Sequence, residues 1–235
     1  MEFDEKRIMK RKMKAEKFFV FIFLATVLFL AGKHYLGYHC LHTYKDIRSK
    51  ARSIESGFTD LEESLKKAVW FSNNPLFYKE MARLYFEMAF VENEFGTDEK
   101  RDFYLDQAKE ALIQQIKRNP LDAFAYYEIG KVYMLYNFPL LTYMDKGRIY
   151  FKNALEINPS DGFLNLNILY TYLSQWEFLE DEEKKFVSRQ LLRITKDNDR
   201  FMTHLQRRWE DNLGNTEKLR EILSNEEELR GIMSE

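Results

Sequence analysis

The sequence contains one cysteine, four prolines and nine glycines in 235 residues. A single cysteine, Cys40, excludes an intramolecular disulfide framework and a zinc site built from several cysteines. Scarce glycine and proline argue against a fold dominated by tight β-hairpins or glycine-rich loops. The chain is instead rich in apolar, aromatic and charged residues at mixed spacing, which predicts an all-α fold.

The familiar sequence motifs of enzymes are missing as well. There is no G-x-S-x-G, no phosphate-binding loop, no H-E-x-x-H and no C-x-x-C. Paired acids such as Glu62 and Glu63 lie in polar runs, which is typical of solvated helix faces and first-turn acids. We therefore expect no enzyme activity and no cofactor, and the alternative is a catalytic site in a divergent helical fold.

Charge of one sign does not dominate the chain, whose formal net charge is −2. Basic residues are in excess over residues 1–42, and acidic residues are in excess over the rest of the sequence. Nucleic-acid binding requires a basic face, so an acidic body excludes nucleic acid as the expected partner.

One long apolar run, residues 18–32, contains no charged side chain. Fifteen residues are fewer than the roughly 20 that usually span a bilayer. Lys33 can extend its amine toward water, and tyrosines as far as Tyr38 suit the headgroup region. The sequence therefore predicts a transmembrane signal anchor over residues 18–38. A cleaved signal peptide is the alternative, which the bulky Phe29 near the cleavage position disfavours.

The flank before this run is strongly basic, with seven lysines and arginines between residues 6 and 17. By the positive-inside rule this end stays cytoplasmic. We expect residues 1–17 to be a cytoplasmic segment and the protein to be a single-pass protein of the plasma (inner) membrane. The body of the chain then lies on the periplasmic or exterior side.

Three Asn-Pro pairs, ending at Pro75, Pro120 and Pro159, each follow an apolar-periodic stretch. Proline is favoured in the first turn of a helix, and asparagine just before it can serve as the N-cap. We expect each pair to end one helix and start the next directly. Their spacing of about 40 residues is typical of a repeat built from helix pairs.

The clearest pair is predicted over residues 121–136 and 143–157, with Gly130 on the packed face where it lets the second helix approach. Its packing positions are Tyr126, Ile129, Gly130, Tyr133, Gly147, Phe151, Ala154 and Pro159. This pattern resembles the tetratricopeptide repeat family, although the connection between the helices is about five residues longer. The resemblance implies an α-hairpin solenoid over residues 58–195, a juxtamembrane linker or helix over 39–57, and capping helices over 196–235.

In that family the first helices of the repeats line a concave groove that binds protein partners. On the resemblance, the groove residues here are Lys79, Arg83, Tyr127 and Lys131. A basic and aromatic lining suits an extended or acidic peptide. The alternative is that these are ordinary solvated side chains.

Three of the four histidines lie near the only cysteine, in the segment HYLGYHCLH. His39, Cys40 and His42 are candidate ligands for a metal or a haem iron. The alternative is an interfacial zone in which amphipathic rings meet lipid headgroups.

An anchor followed by an interaction fold leads to one main hypothesis. The protein is a membrane-anchored scaffold that helps to assemble an envelope complex for secretion, pilus assembly, cytochrome maturation or polysaccharide export. The alternative is an accessory subunit of a membrane enzyme or redox complex, with His39, Cys40 and His42 near a cofactor. Self-association into a homo-oligomer is a further alternative.

Overall fold

The computed structural model describes residues 2–51, 53–136, 144–198, 200–214 and 216–225, with backbone alone for residues 2–16 and 225. The described residues form ten α-helices and one short 3-10 turn, and they contain no strand, so the all-α class is confirmed. The helices are α1 (Glu2–Lys50), α2 (Ile54–Phe71), α3 (Pro75–Phe95), α4 (Asp98–Arg118), α5 (Ala123–Leu135), α6 (Met144–Ile157), α7 (Gly162–Ser174), α8 (Asp181–Asp197), α9 (Phe201–Leu213) and α10 (Thr216–Asn225). The 3-10 turn, Trp176–Phe178, lies between α7 and α8.

The chain divides into two compact units, Met1–Arg118 and Asn119–Glu235. The division falls at the second Asn-Pro pair, inside the range 58–195 that the sequence analysis grouped as one repeat array. Each unit has its own buried core.

In the first unit, α1 packs on α2, and α3 packs on α2 and pairs with α4 along its length. Side chains of α1 also contact α3, as the ring of Tyr38 does with that of Phe77. The core of the first three helices consists of Leu41, Tyr44, Leu61, Leu65, Ala68, Phe77 and Leu84. The end expected for the membrane span, residue 38, lies inside α1, which continues to Lys50 without interruption. The C-terminal part of α1 is therefore a core helix of this unit.

The turn between α3 and α4 is short. Only Gly96 and Thr97 lie outside the two helices. Thr97 Oγ accepts a hydrogen bond from the backbone N–H of Lys100 at 3.3 Å, which satisfies one of the free N–H groups at the start of α4.

In the second unit, α5 pairs with α6 within two residues of the predicted bounds. The connection between these helices, residues 137–143, lies outside the described residues. The core of this unit extends from α5 to α10 and includes Trp209 of α9 and Leu223 of α10. Helices α9 and α10 therefore contribute buried side chains to the core, beyond the polar cap that was expected over 196–235.

Gly214 ends α9 in the left-handed conformation, with φ of 68°, as a helix-stopping glycine does. The next helix, α10, begins two residues later at Thr216. The two tail helices are thus confirmed as separate elements.

The three Asn-Pro pairs form two different structures. Pro75 is the first residue of α3, and Asn74 caps it by accepting from the N–H of Leu76 at 2.9 Å, as expected. At Pro120 and Pro159 the expectation of a direct helix start is wrong. There the proline occupies the second position of a four-residue turn, and the next helix begins three residues after the proline.

The residue that caps the helix after these two turns is an aspartate. Asp122 accepts from the N–H of Ala125 at 3.3 Å, and Asp161 accepts from the N–H of Leu164 at 2.9 Å. Proline fits the second position of such a turn because its φ is already near the required value. The repeated signal is therefore Asn-Pro-x-Asp, with the cap supplied by its last residue.

Candidate functional site

The N-terminal part of α1 carries an apolar surface that the rest of the described chain does not cover. Every side chain from Lys17 to Gly32 is exposed, and the run from Phe18 to Leu30 is dominated by phenylalanine and leucine. This helix is long and apolar enough to cross a membrane. A contiguous apolar surface of this size marks a site that contacts lipid or another protein.

The apolar segment joins the first unit through a closely packed junction. Gly37 faces Ser72 and Phe77, and a Cβ at this glycine would lie 2.8 Å from Cβ of Ser72. Ser72 Oγ is hydrogen-bonded to Nδ1 of His34 at 2.7 Å, and Asn74 Nδ2 donates to the hydroxyl of Tyr38 at 3.0 Å. Because no flexible linker intervenes, the orientation of the apolar segment is fixed relative to the first unit.

Further along α1, a second set of contacts ties this helix to α3. Arg48 forms an ion pair with Glu87 and donates a hydrogen bond to the hydroxyl of Tyr44 at 2.7 Å. Burial raises the pKa of Tyr44 above its usual value, so this hydroxyl stays protonated at neutral pH. This link could not be predicted from local sequence patterns, because its partners lie 39 residues apart.

The helix pair α5 and α6 approaches most closely at two glycines. A Cβ at Gly130 would lie 2.4 Å from Cε1 of Phe151, and a Cβ at Gly147 would lie 3.0 Å from the carbonyl oxygen of Gly130. Ile129 and Phe151 are buried beside this crossing. The remaining packing positions predicted from the sequence are Tyr126 and Tyr133, which are half-buried against Tyr150, Ala154, which is buried, and Pro159, which is exposed.

We expect Gly130→Ala to destabilise the second unit by about 1–3 kcal/mol, the usual cost of overpacking a core. The added methyl group would collide with the ring of Phe151, which is itself enclosed by the core. Gly162→Ala is the matched control, because a Cβ there meets nothing within 4 Å. Urea unfolding followed by helical circular dichroism measures both, and equal stability of the two variants would contradict the close crossing.

The four residues proposed for a groove are distributed over both units. Lys79 and Arg83 are exposed on α3 of the first unit, and Arg83 pairs with Glu87 at 3.3 Å. Tyr127 of the second unit is buried against Phe151, and this burial raises its pKa to about 12. Its ring thus packs inside the unit, which differs from the groove position suggested by the resemblance.

Lys131 lies beside this buried tyrosine on the surface of α5. Its Nζ is 5.2 Å from the ring centroid of Tyr127 and 2.8 Å from Oε2 of Glu128. Half-buried and paired in this way, Lys131 contributes to the local packing as well as to the surface charge.

The exposed aromatic groups of α5 and α7 are two phenylalanines that the sequence did not indicate as binding residues. The rings of Phe124 and Phe163 stack with centroids 6.0 Å apart, and both are solvent-exposed. Each stands in the first turn of its helix, directly after an Asn-Pro-x-Asp turn. The signal that could have found them is this shared position, since the turn brings both helix starts to one edge.

The segment that contains His39, Cys40 and His42 lies within α1. His39 and His42 are exposed and Cys40 is half-buried beside the core of the first unit. Among the described residues, no three His, Cys, Asp or Glu side chains form a group that could hold a metal ion. The ring of His39 instead stacks on Tyr35, with centroids 6.5 Å apart.

A further charged cluster, also absent from the sequence analysis, joins α6 to α8. Buried Arg148 pairs with Asp145 and, at 2.7 Å, with Glu183, and its backbone carbonyl accepts from the hydroxyl of Tyr172 at 2.9 Å. Burial, with Glu183 nearby, raises the pKa of Tyr172. A groove of about 250 Å³ opens beside this cluster. Its internal pairing indicates a structural link between the two helices.

Comparison with protein-family models and a search of curated proteins both returned no match for this chain.

Proposed function

We propose that the protein is a single-pass membrane-anchored scaffold whose helical units bind protein partners during assembly of an envelope complex. The observation that carries the proposal is the uncovered apolar segment of α1, residues 18–32, which continues directly into the core of the first unit. Such a surface is costly in water and stable in a bilayer.

The orientation follows from the flanking charges. Seven lysines and arginines precede the apolar segment between residues 6 and 17, and one, Lys33, follows it immediately. On the positive-inside rule the N-terminus is cytoplasmic and both helical units lie on the periplasmic or exterior side of the plasma (inner) membrane.

The binding role rests on the helix-pair construction of the units and on their exposed side chains. Helix pairs with the spacing seen in α5 and α6 support the resemblance to tetratricopeptide repeats, whose surfaces bind peptides and proteins. In the second unit the stacked, exposed Phe124 and Phe163 provide an apolar contact of the kind that anchors protein interfaces. In the first unit the exposed Lys79 and Arg83 favour an acidic partner.

The test is purification of the intact protein from its native membrane in mild detergent, followed by identification of stoichiometric partners. The double variant Phe124→Ser/Phe163→Ser is expected to lose the partner and to keep the membrane association of the wild type. Phe178→Ser is the matched control, because Phe178 is also an exposed phenylalanine of the same unit. It follows the C-terminal end of α7, whereas Phe163 lies at the N-terminal end of that helix.

Retention of the same partner by the double variant would contradict a binding role for this pair, provided that its helical circular dichroism matches the wild type. Recovery of the wild-type chain alone, with no protein in stoichiometric amount, would contradict the scaffold proposal itself. Release of the wild-type protein by alkaline extraction would contradict the anchor.

A further inference from the structure

Residues of α1 and α2 come together at the end of the first unit that lies next to the apolar segment. Helix α2 runs back along α1, so its C-terminal residues return to the level of the segment's end. Lys33 Nζ lies 5.8 Å from the ring centroid of Trp70, and an open groove of about 540 Å³ is lined by Val27, Leu30 and Ala31 of α1 together with Phe71 and Asn73. Since Val27 precedes Lys33 by six residues, this groove extends roughly 9 Å along the apolar segment.

The C-terminus of α4 reaches the same end. Arg118 Nε donates to Oδ1 of Asn73 at 2.6 Å, and its guanidinium lies 4.3 Å from the ring centroid of Tyr78. We define the rim as Lys33, residues 66–79 and the last two residues of α4, Lys117 and Arg118.

The length of the apolar segment places this rim at the membrane surface. Residues 18–32 cover about 22 Å at the helical rise, whereas the hydrocarbon core of a bilayer is about 30 Å thick. A span of roughly 20 residues that starts at Phe18 ends at Gly37. Gly37 is already covered by Ser72 of the α2–α3 turn and by Phe77 of α3. The turn therefore has to enter the interface together with the helix.

The composition of the rim suits that position. Trp70 is 73% exposed, and tryptophan is enriched where hydrocarbon meets the headgroups. The charged residues of the rim are all basic: Lys33, Lys66, Lys67, Lys79, Lys117 and Arg118. Two of them, Lys66 and Lys67, pair with Glu62 and Glu63, which lie one turn further from the membrane.

The α3–α4 turn, at the far end of α3 from the rim, is acidic. Helix α3 is 21 residues long, so the turn at Gly96 lies about 30 Å from the rim. Between residues 92 and 102 there are five acidic and two basic residues. The basic residues of the rim and the acidic α3–α4 turn thus lie at opposite ends of α3.

We propose that the rim docks on the phospholipid interface, with Trp70 inserted among the headgroups and the basic side chains against lipid phosphates. This inference rests on the proposed membrane anchor and adds a second contact to it. The first unit is then held upright on the bilayer, with the α3–α4 turn pointing away from it.

The test uses the full chain reconstituted in vesicles of phosphatidylcholine and phosphatidylglycerol. The difference between wild type and Trp70→Phe isolates the fluorescence of Trp70 from that of Trp176 and Trp209, which are both buried in the second unit. The matched control adds Phe95→Trp to the Trp70→Phe background, because Phe95 is 83% exposed beside the opposite turn. We expect phospholipids brominated on their acyl chains to remove most of the Trp70 signal, and aqueous iodide to quench mainly the Phe95→Trp probe.

Three results would overturn the inference. If the chain resists alkaline extraction but Trp70 is as accessible to iodide as the Phe95→Trp probe, the anchor stands and the rim contact is wrong. If Trp70 is shielded from iodide and insensitive to brominated lipid, a second copy of this chain covers the rim. If alkali releases the chain, the anchor and the rim contact are both wrong.

Discussion

Leu24→Arg/Leu28→Arg releases the protein from the membrane fraction. Both leucines lie near the middle of the apolar segment and are exposed in the described structure. An arginine at the centre of a membrane-spanning helix costs about 3 kcal/mol, so two of them remove most of the insertion energy of so short a span. Alkaline extraction followed by sedimentation measures the effect.

The control for this double variant is Leu121→Arg/Leu213→Arg, which places the same charges on exposed leucines of the second unit. It is expected to remain with the membrane as the wild type does. Retention of the Leu24→Arg/Leu28→Arg variant after alkaline extraction would mean that the apolar segment is not immersed in lipid. Circular dichroism of both variants in detergent checks that the helical units stay folded.

Trp209→Ala destabilises the second unit by about 3–5 kcal/mol, the usual cost of deleting a buried tryptophan side chain. Trp209 of α9 is 1% exposed and packs edge-on against Tyr170 of α7, with ring centroids 5.9 Å apart. If α9 is a core helix, removal of this side chain leaves a large cavity that the surrounding helices cannot fill. Urea unfolding in detergent, followed by helical circular dichroism, measures the loss.

Trp70→Ala is the matched control, because it deletes the same side chain from an exposed position. Its expected change in unfolding free energy is within about 0.5 kcal/mol, as for most surface substitutions. Similar stability of the two tryptophan variants would mean that α9 acts as a detachable cap, as the sequence alone suggested for residues 196–235.

The features that the sequence predicted well depend on neighbouring residues. The helix pair α5 and α6 and the apolar segment of α1 follow from hydrophobic periodicity and from charge-free length. Each of these patterns involves only residues that lie within a few helical turns of one another. The close crossing at Gly130 was also predictable, since a glycine on an apolar helix face has few other uses.

For the Asn-Pro pairs, the prediction of a direct helix start was right at one of the three positions. Proline restricts the backbone in the same way at all three positions, yet it begins a helix directly at Pro75 and stands in a turn at Pro120 and Pro159. The difference follows from the third residue after the asparagine. That residue is an aspartate after Asn119 and Asn158, and its carboxylate caps the following helix.

By itself, the sequence determined that this protein is all-α, that it has one apolar helix able to cross a membrane, and that it builds helix pairs. Only the tertiary structure decided that Tyr127 is buried while Phe124 and Phe163 are exposed, and that the end of the apolar helix packs into the first unit. The reason is that exposure depends on which distant helices cover a face. The ladder of hydrogen bonds within a helix does not encode those contacts.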